Sequence, residues 1–254
     1  MVLRFLRRIE RILLAGIWTL VLFALRLLTM PVGLVSPRLD AISRRFLIRV
    51  WGHGIAQIIG MRVIVKGKPP KPPYFVVSNH LSHADGYLFA RTLGCVFVVK
   101  GDVARWPVVG FLMRSGNVVF INREKRSDTV RVNEIIRELL ADGEGVLMFA
   151  ESTTSPGKDM LPFKTSLFAP AAEGNIPVHY ATVHYQAPKG QPPASEWIGW
   201  WRMEPFFGHM WRMIGYPGFT ATLTFGSEPI ACPDRKELAR KLWEACKAQF
   251  TPVE

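Results

Sequence analysis

The segment Ser78-Asn79-His80-Leu81-Ser82-His83-Ala84-Asp85 carries the residue types and spacing of a general-base site. Before it, Tyr74-Phe75-Val76-Val77 is an apolar, β-prone run after a proline-rich turn. After it, Gly86-Tyr87-Leu88-Phe89-Ala90 has the character of the first turns of a helix. A histidine leaving a strand and an aspartate five residues on, at a helix start, can be folded back on one another across the turn. The Asp85 carboxylate then accepts a hydrogen bond from one imidazole nitrogen of His80, which fixes the tautomer and leaves the other nitrogen to take a proton from an alcohol. The competing structural reading is that Asn79, Ser82 and Asp85 cap the helix while His80 fills a polar turn. Ser82 and the three cysteines have no activating context, so no nucleophile is assigned.

The elements that must position these residues read as an α/β domain with a mostly parallel central sheet flanked by helices. Strands are expected over 62–67, 74–77, 95–100, 116–123, 145–149, 175–185 and 219–225. A short helical piece is expected over 107–113. Longer helices are expected over 128–142, with Ser127 or Asp128 as cap and Gly143 past the end, and over 234–250. In such a sheet, ligands occupy the crevice beyond the strand ends. Lys100 ends its strand as His80 follows its own, so it reads either as a ligand-facing cation or as a solvated loop lysine. His179 and His184 are five apart in a strand and face opposite sides, so no metal site joining them to His80 and His83 is expected.

The chain has 254 residues, 49% of them hydrophobic, enough for one catalytic domain and an N-terminal attachment. A formal charge of +12 and a pI near 10 point to a polyanion, either nucleic acid or an anionic membrane surface. Residues 1–50 hold nine arginines, two acids and no lysine beside the most apolar segment. That pairing favours lipid, and no nucleic-acid partner is expected. The uncharged run Ile12–Leu25 is short for a spanning helix, and arginines flank it on both sides without setting an orientation. The expected arrangement is a partly inserted helical hairpin, broken at Met30-Pro31-Val32-Gly33 and resumed over Leu39 to Ile59, with both arginine clusters at one cytoplasmic headgroup surface. Residues 1–59 would then be a hydrophobic, Arg-rich membrane anchor and 60–254 the α/β domain. A secretory signal is the competing reading, but no small-residue cleavage site follows. Cys95, Cys232 and Cys246 are widely spaced and read as reduced thiols. The aromatic and cationic stretch from Trp197 to Tyr216 suits a membrane interface or the mouth of an acyl tunnel, with core packing as the alternative.

The Asn-His, four residues, Asp pattern at 79–85 resembles the glycerolipid acyltransferase family, whose best-known members acylate 1-acylglycerol 3-phosphate, and later blocks match in order. Gly116–Arg123 is similar to the family's second motif, a strand ending in arginine. Arg123 is the implied phosphate ligand, because its planar fork offers two donors and keeps its charge; a salt bridge to the following helix is the alternative. The third motif, Phe-Pro-Glu-Gly-Thr-Arg, is matched at Phe149, Glu151 and Thr153 and departed from at Ala150, Ser152 and Thr154. The resemblance implies substrate binding by Glu151, Ser152, Thr153, Lys100 and Lys164. Glu151 would accept a hydrogen bond from the acceptor hydroxyl or hold neighbouring cations. A phosphate monoester carries about −1.5 to −2, so the lost arginine leaves two possibilities. Either Lys158 or Lys164 replaces it, or the acceptor is a lysolipid whose phosphate is blocked or missing. The fourth block, 175–185, is implied in acyl-donor or core packing.

The implied mechanism is a single displacement in which His80, oriented by Asp85, deprotonates a lysolipid hydroxyl as it attacks the thioester of acyl-CoA or acyl carrier protein. Backbone N–H groups near the helix after Asp85 would stabilise the oxyanion. No cofactor and no metal enter. The acceptor expected is 1-acylglycerol 3-phosphate, giving phosphatidic acid. Alternatives are another lysolipid, including a lyso-aminolipid, and a non-catalytic membrane adaptor of the same fold. The expected location is the cytoplasmic face of a membrane.

Overall fold

The computed structural model describes residues 2–106, 109–122 and 125–254, with Arg126 described by its backbone alone. Among the described residues seven strands form one sheet: β1 (Met61–Lys66), β2 (Tyr74–Ser78), β3 (Val96–Lys100), β4 (Val119–Ile121), β5 (Gly145–Phe149), β6 (Val178–Gln186) and β7 (Phe219–Phe225). Their order is β1-β7-β6-β2-β5-β3-β4. The five strands from β6 to β4 run parallel, as expected. β7 reverses against β6 and carries β1 parallel to itself at the far edge.

β2 and β5 are buried along their whole length, which is why their sequences are apolar on both sides rather than alternating. Successive side chains still point to opposite faces. Tyr74, Val76, Leu147 and Phe149 enter one core, while Phe75, Val77, Val146 and Met148 enter the other. The helices that close these cores follow in chain order as α1 (Val2–Thr29), α2 (Val32–Val35), α3 (Pro37–Ile58), α4 (Ala84–Leu93), α5 (Val109–Ser115), α6 (Arg126–Ala141), α7 (Ala169–Glu173), α8 (Ala194–Trp197), α9 (Phe206–Met213) and α10 (Arg235–Gln249). The first core is covered by α3 and α4 through Ile55, Ala56, Leu88 and Phe89. The second is covered by α6 and α10 through Val132, Ile136, Leu238 and Leu242.

Two expected boundaries move for physical reasons. β4 is confined to Val119–Ile121, because Asn117 turns the chain with a left-handed φ of 60°. α6 begins at Arg126, without a side-chain cap from Ser127 or Asp128. Asp128 reaches back instead: its Oδ2 accepts from the Asn122 N–H at 2.6 Å, and its Oδ1 pairs with Arg131 at 2.7 Å.

The N-terminal segment is a hairpin broken where Met30-Pro31 predicts. Ser36 opens α3 by accepting from the Leu39 N–H. Trp18 and Trp51 tie the arms together, the Trp18 indole donating to Trp51 O at 3.3 Å and the Trp51 indole to Thr19 Oγ1 at 3.0 Å. Nearer the turn, Arg26 grips the Asp40 carboxylate with both terminal nitrogens. The stretch Val2–Val35 is long and apolar enough to cross a membrane by length and composition, and almost none of it is buried.

The arginines do not gather at one surface, which corrects the sequence-based expectation. The arms are antiparallel, so residue 44 lies opposite about residue 23, roughly 18 Å along α1 from Arg11 at 1.5 Å per residue. Moreover, these side chains are engaged within the fold. Arg7 donates to Gly215 O at 3.0 Å, and Arg11 donates to the carbonyls of Ile214, Tyr216 and Pro217 at 2.6–3.0 Å. Arg44 and Arg45 bind Glu144 at 2.5 and 3.1 Å.

α3 is both the second arm of the hairpin and a layer of the domain. A Cβ at Gly52 would sit 2.4 Å from Arg91 N and 2.9 Å from Ala90, a backbone approach that no side-chain motion relieves. Gly52→Ala is therefore expected to destabilise the protein by about 1–3 kcal/mol, measured by denaturant unfolding against Gly16→Ala, where nothing lies within 4 Å. Equal midpoints would mean that the two helices part without cost.

Candidate active site

His80 follows β2 at the carboxyl edge of the parallel strands, and Asp85 lies in the first turn of α4. The loop between them folds as the spacing predicts: His80 Nδ1 lies 2.7 Å from Asp85 Oδ2. The same oxygen accepts the N–H of Leu81 at 2.7 Å and of Ser82 at 3.1 Å, while Oδ1 accepts the Tyr185 hydroxyl at 2.5 Å. Because Oδ2 is an acceptor for two backbone donors, Nδ1–H donates to it as well. With Nδ1 committed to Asp85, Nε2 is the ring nitrogen left to exchange a proton with a substrate. Asp85 is fully buried, whereas the His80 side chain keeps 21% of its surface open. The ring lies flat on Phe149, with centroids 4.0 Å apart and planes 11° from parallel.

The His80 backbone is held as firmly as its ring. Its N–H donates to Glu151 Oε2 at 3.0 Å, and its carbonyl accepts the Ser155 N–H at 2.9 Å. Glu151 Oε1 accepts the Leu161 N–H at 3.0 Å. With both oxygens on backbone donors and 2% of its surface exposed, Glu151 joins the loop after β2 to the loop after β5. Burial pushes its carboxyl up to about 7 against the two hydrogen bonds, with the Asp85 charge adding to the rise.

Ser152, beside it, has a left-handed φ of 68°. This is the position where the motif has glycine, and the conformation is one that glycine adopts without strain. Thr154, standing where the motif has arginine, turns its hydroxyl to Trp200 O. Thr153 is exposed. Lys164 is exposed, its backbone N–H bound to Ala150 O. Lys100 is exposed at the end of β3 and pairs with Asp102 at 2.8 Å. Arg123 lies outside the described residues.

Most N–H groups of this loop, where the oxyanion donors are expected, are already engaged. The N–H groups of Leu81 and Ser82 serve Asp85, that of Ala84 serves Ser82 Oγ, and those of Asp85 and Gly86 serve the carbonyls of Ser82 and His83. The cysteines stay out of the chemistry: all three are buried, and burial pushes the Cys95 and Cys246 thiols up, away from thiolate.

Sequence reasoning missed Tyr185, whose signal is the overhang of β6. Ser78 ends β2 opposite Ala181, and β6 runs on to Gln186. Val183 there binds the Asn79 amide through both its N–H and C=O, at 2.8 and 3.1 Å, and Tyr185 reaches Asp85 two residues later. A second omission is His209. Its Nε2–H donates to Gly199 O at 2.9 Å, so its Nδ1 accepts, and the His83 Nε2–H donates to that nitrogen at 2.9 Å. The rings of Tyr87, Trp200 and Phe206 crowd around His83. Burial is the main force holding both imidazoles neutral, pulling His83 well below the usual histidine range and His209 down to about 4.

The residues 62–183 match the family model described as Acyltransferase. The lyso-ornithine lipid O-acyltransferase of Rhodobacter capsulatus is 33% identical, over 75% of this chain and 69% of that protein. The enzyme of the same name from Brucella abortus is 30% identical over 89% of each. The 1-acyl-sn-glycerol-3-phosphate acyltransferase of Neisseria meningitidis serogroup B is 26% identical over 81% of each. The crystal structure of a 1-acyl-sn-glycerophosphate acyltransferase from Thermotoga maritima shares the fold, with a TM-score of 0.60 and 20% identity over 96% of both chains. The chain belongs to the acyltransferase family.

A histidine whose folded-state value is depressed leaves stability intact above its unfolded value of 6.5 and loses it as pH falls towards the folded value, because only the unfolded state takes up the proton. For His209 the loss between pH 7 and 5 is about 2 kcal/mol. His209→Gln keeps a donor for Gly199 O but cannot titrate, so its unfolding midpoint is expected to fall less steeply over that interval. Parallel profiles for the two proteins would assign the acid sensitivity elsewhere.

Proposed function

We propose that this chain moves a fatty acyl group from a thioester, acyl-CoA or acyl carrier protein, to the free hydroxyl of a lysolipid. His80 Nε2 takes the hydroxyl proton as the oxygen attacks the thioester carbonyl. The C–S bond then breaks, and the proton passes from His80 to the departing thiolate. The observation that carries this reading is the 2.7 Å contact of His80 Nδ1 with a buried carboxylate that already accepts three other donors. It fixes the ring with its basic nitrogen outward. Asp85 and Tyr185 act through the ring as positioning residues, and Glu151 holds the backbone that presents it. No step calls for a cofactor or a metal.

For the acceptor, a lyso-aminolipid of the ornithine type fits better than 1-acylglycerol 3-phosphate. Two relatives at 30% identity or more over at least two thirds of their length act, by name, on lyso-ornithine lipid, whereas the human 1-acyl-sn-glycerol-3-phosphate acyltransferase alpha, at 32%, is matched over 56% of its length. In this chain, Thr154 replaces a phosphate-binding arginine and is turned into a hydrogen bond with Trp200 O. The phosphate-bearing acceptor is the second reading, supported by the match to the Neisseria enzyme and by the exposed Lys158 and Lys164 on the same loops. The apolar hairpin supports association with a membrane, with residues 1–59 as the attachment and the α/β domain on the cytoplasmic side, where acyl thioesters are at hand.

Two measurements test this. His80→Ala is expected to lower turnover by about 10² to 10⁴ while vesicle binding persists; near-normal turnover would remove His80 from the mechanism. A panel of purified lysolipids with labelled acyl-CoA or acyl carrier protein is expected to show lyso-ornithine lipid as the preferred acceptor, and a preference for 1-acylglycerol 3-phosphate would reverse that assignment.

A further inference from the structure

α4 has two ends, and only the first belongs to the site above. At the other end, roughly 15 Å away at 1.5 Å per residue, Arg91, Thr92 and Leu93 form one wall of a cavity of about 1080 Å³. α3 supplies a second wall, Trp18 of α1 a third, and the proline-rich loop before β2 closes it.

The lining is of two kinds. Arg49, Arg91 and Lys71 have no acid partner among the described residues, whereas Arg45 pairs with Glu144. Ile42 and Phe46, one turn apart on the same face of α3, are 54% and 64% exposed. The cavity therefore joins unsatisfied positive charge to an open apolar rim that continues into the exposed aliphatic side chains of the hairpin. Elsewhere in the N-terminal region Arg7, Arg11, Arg26 and Arg44 are consumed by carbonyls and carboxylates of the fold, Arg4 and Arg8 lie over the rings of Tyr216 and Trp211, and Arg38 is exposed outside the lining of this cavity. That contrast makes the free cations at the cavity informative.

We propose that this cavity binds the phosphate of an anionic phospholipid from the surrounding leaflet, with Arg49, Arg91 and Lys71 about the phosphate and Ile42 and Phe46 against the acyl chains. The proposal rests on the membrane-associated reading and adds to it a headgroup site separate from the catalytic one. A free phosphate has no use for the apolar rim. A nucleic acid needs cations spread along a stripe, whereas these converge on one concavity beside a hydrophobic face.

The test is flotation of the full chain with vesicles of phosphatidylcholine alone or mixed with phosphatidylglycerol. The triple variant Arg49→Gln/Arg91→Gln/Lys71→Gln is compared with Lys189→Gln/Arg235→Gln/Lys236→Gln, which removes the same charge from exposed positions elsewhere. Wild type is expected to prefer the anionic vesicles. The cavity triple should lose about tenfold or more of that preference, and the control triple should lose little. Equal losses would mean diffuse charge, and an unchanged cavity triple would mean no site; either overturns the proposal. Inorganic phosphate in the buffer is expected not to displace the wild type at constant ionic strength, and displacement would reassign the cavity to a soluble anion. Turnover in detergent micelles is expected to be unchanged in the cavity triple, and a parallel fall would place the cavity in the catalytic machinery instead. Lys71→Glu alone, on an exposed loop, makes the same test should the triple fail to fold. A chain inactive on every lysolipid would refute the proposed function while leaving the flotation contrast intact.

Discussion

The carboxylate of Asp85 is the constraint from which the rest of the site follows. Taking a carboxylate out of water is costly unless its lone pairs are occupied, and this one is fully buried with four donors around it. Those donors come from three places: the loop after β2, the ring of His80, and Tyr185 on the overhang of β6. Satisfying the buried group thus requires α4, β2 and β6 to meet at one corner of the sheet. The imidazole is the only one of the four donors with a second nitrogen to offer. Its outward Nε2 is a by-product of satisfying Asp85, so the electrostatics that stabilise the corner also orient the nitrogen proposed as the base.

A second carboxylate divides the work. Asp85 holds the ring of His80, and Glu151 holds its backbone, so rotation of the side chain and drift of the loop are restrained separately. Glu151 also binds Leu161 N–H, which ties the loop after β5 into the same corner. β2 and β5 are neighbours, with Ser78 in register with Phe149, and that adjacency lets a residue two positions past one strand reach the residue two positions past the other. Phe149 then completes the support by stacking under the imidazole.

Much of this was legible in the sequence because it is local or periodic. The His80–Asp85 contact closes over five residues, and the parallel strands announce themselves as apolar runs bounded by turns. The hairpin shows in Pro31 and in the apolar length before it. What was not legible depends on pairing between distant segments. Tyr185 is an unremarkable aromatic until the register places Ala181 beside Ser78, and His209 is a lone histidine until α9 carries it to His83. Glu151 was visible as a motif residue, but its occupation by two backbone N–H groups was not, since neither donor is adjacent in sequence. The cap expected of Asp128 failed for a related reason: its carboxylate found a backbone donor across the turn to β4.

Net charge illustrates the same limit in another form. A formal +12 says that the chain will favour polyanions, but it does not say which charges are available. Arg11 alone makes contacts with three carbonyls of the segment after α9, so it is better described as the pin that docks α1 than as a headgroup ligand. Arg44 is buried against Glu144, and removing either partner would strand a charge inside the protein, a cost several times that of a surface pair. Such residues raise the pI without adding to the surface a membrane meets. Arginine suits both uses, because one planar fork can serve several carbonyls or one phosphate. Composition therefore cannot separate the docking arginines from those left free for a partner; that separation comes from counting which guanidinium groups the fold has already satisfied.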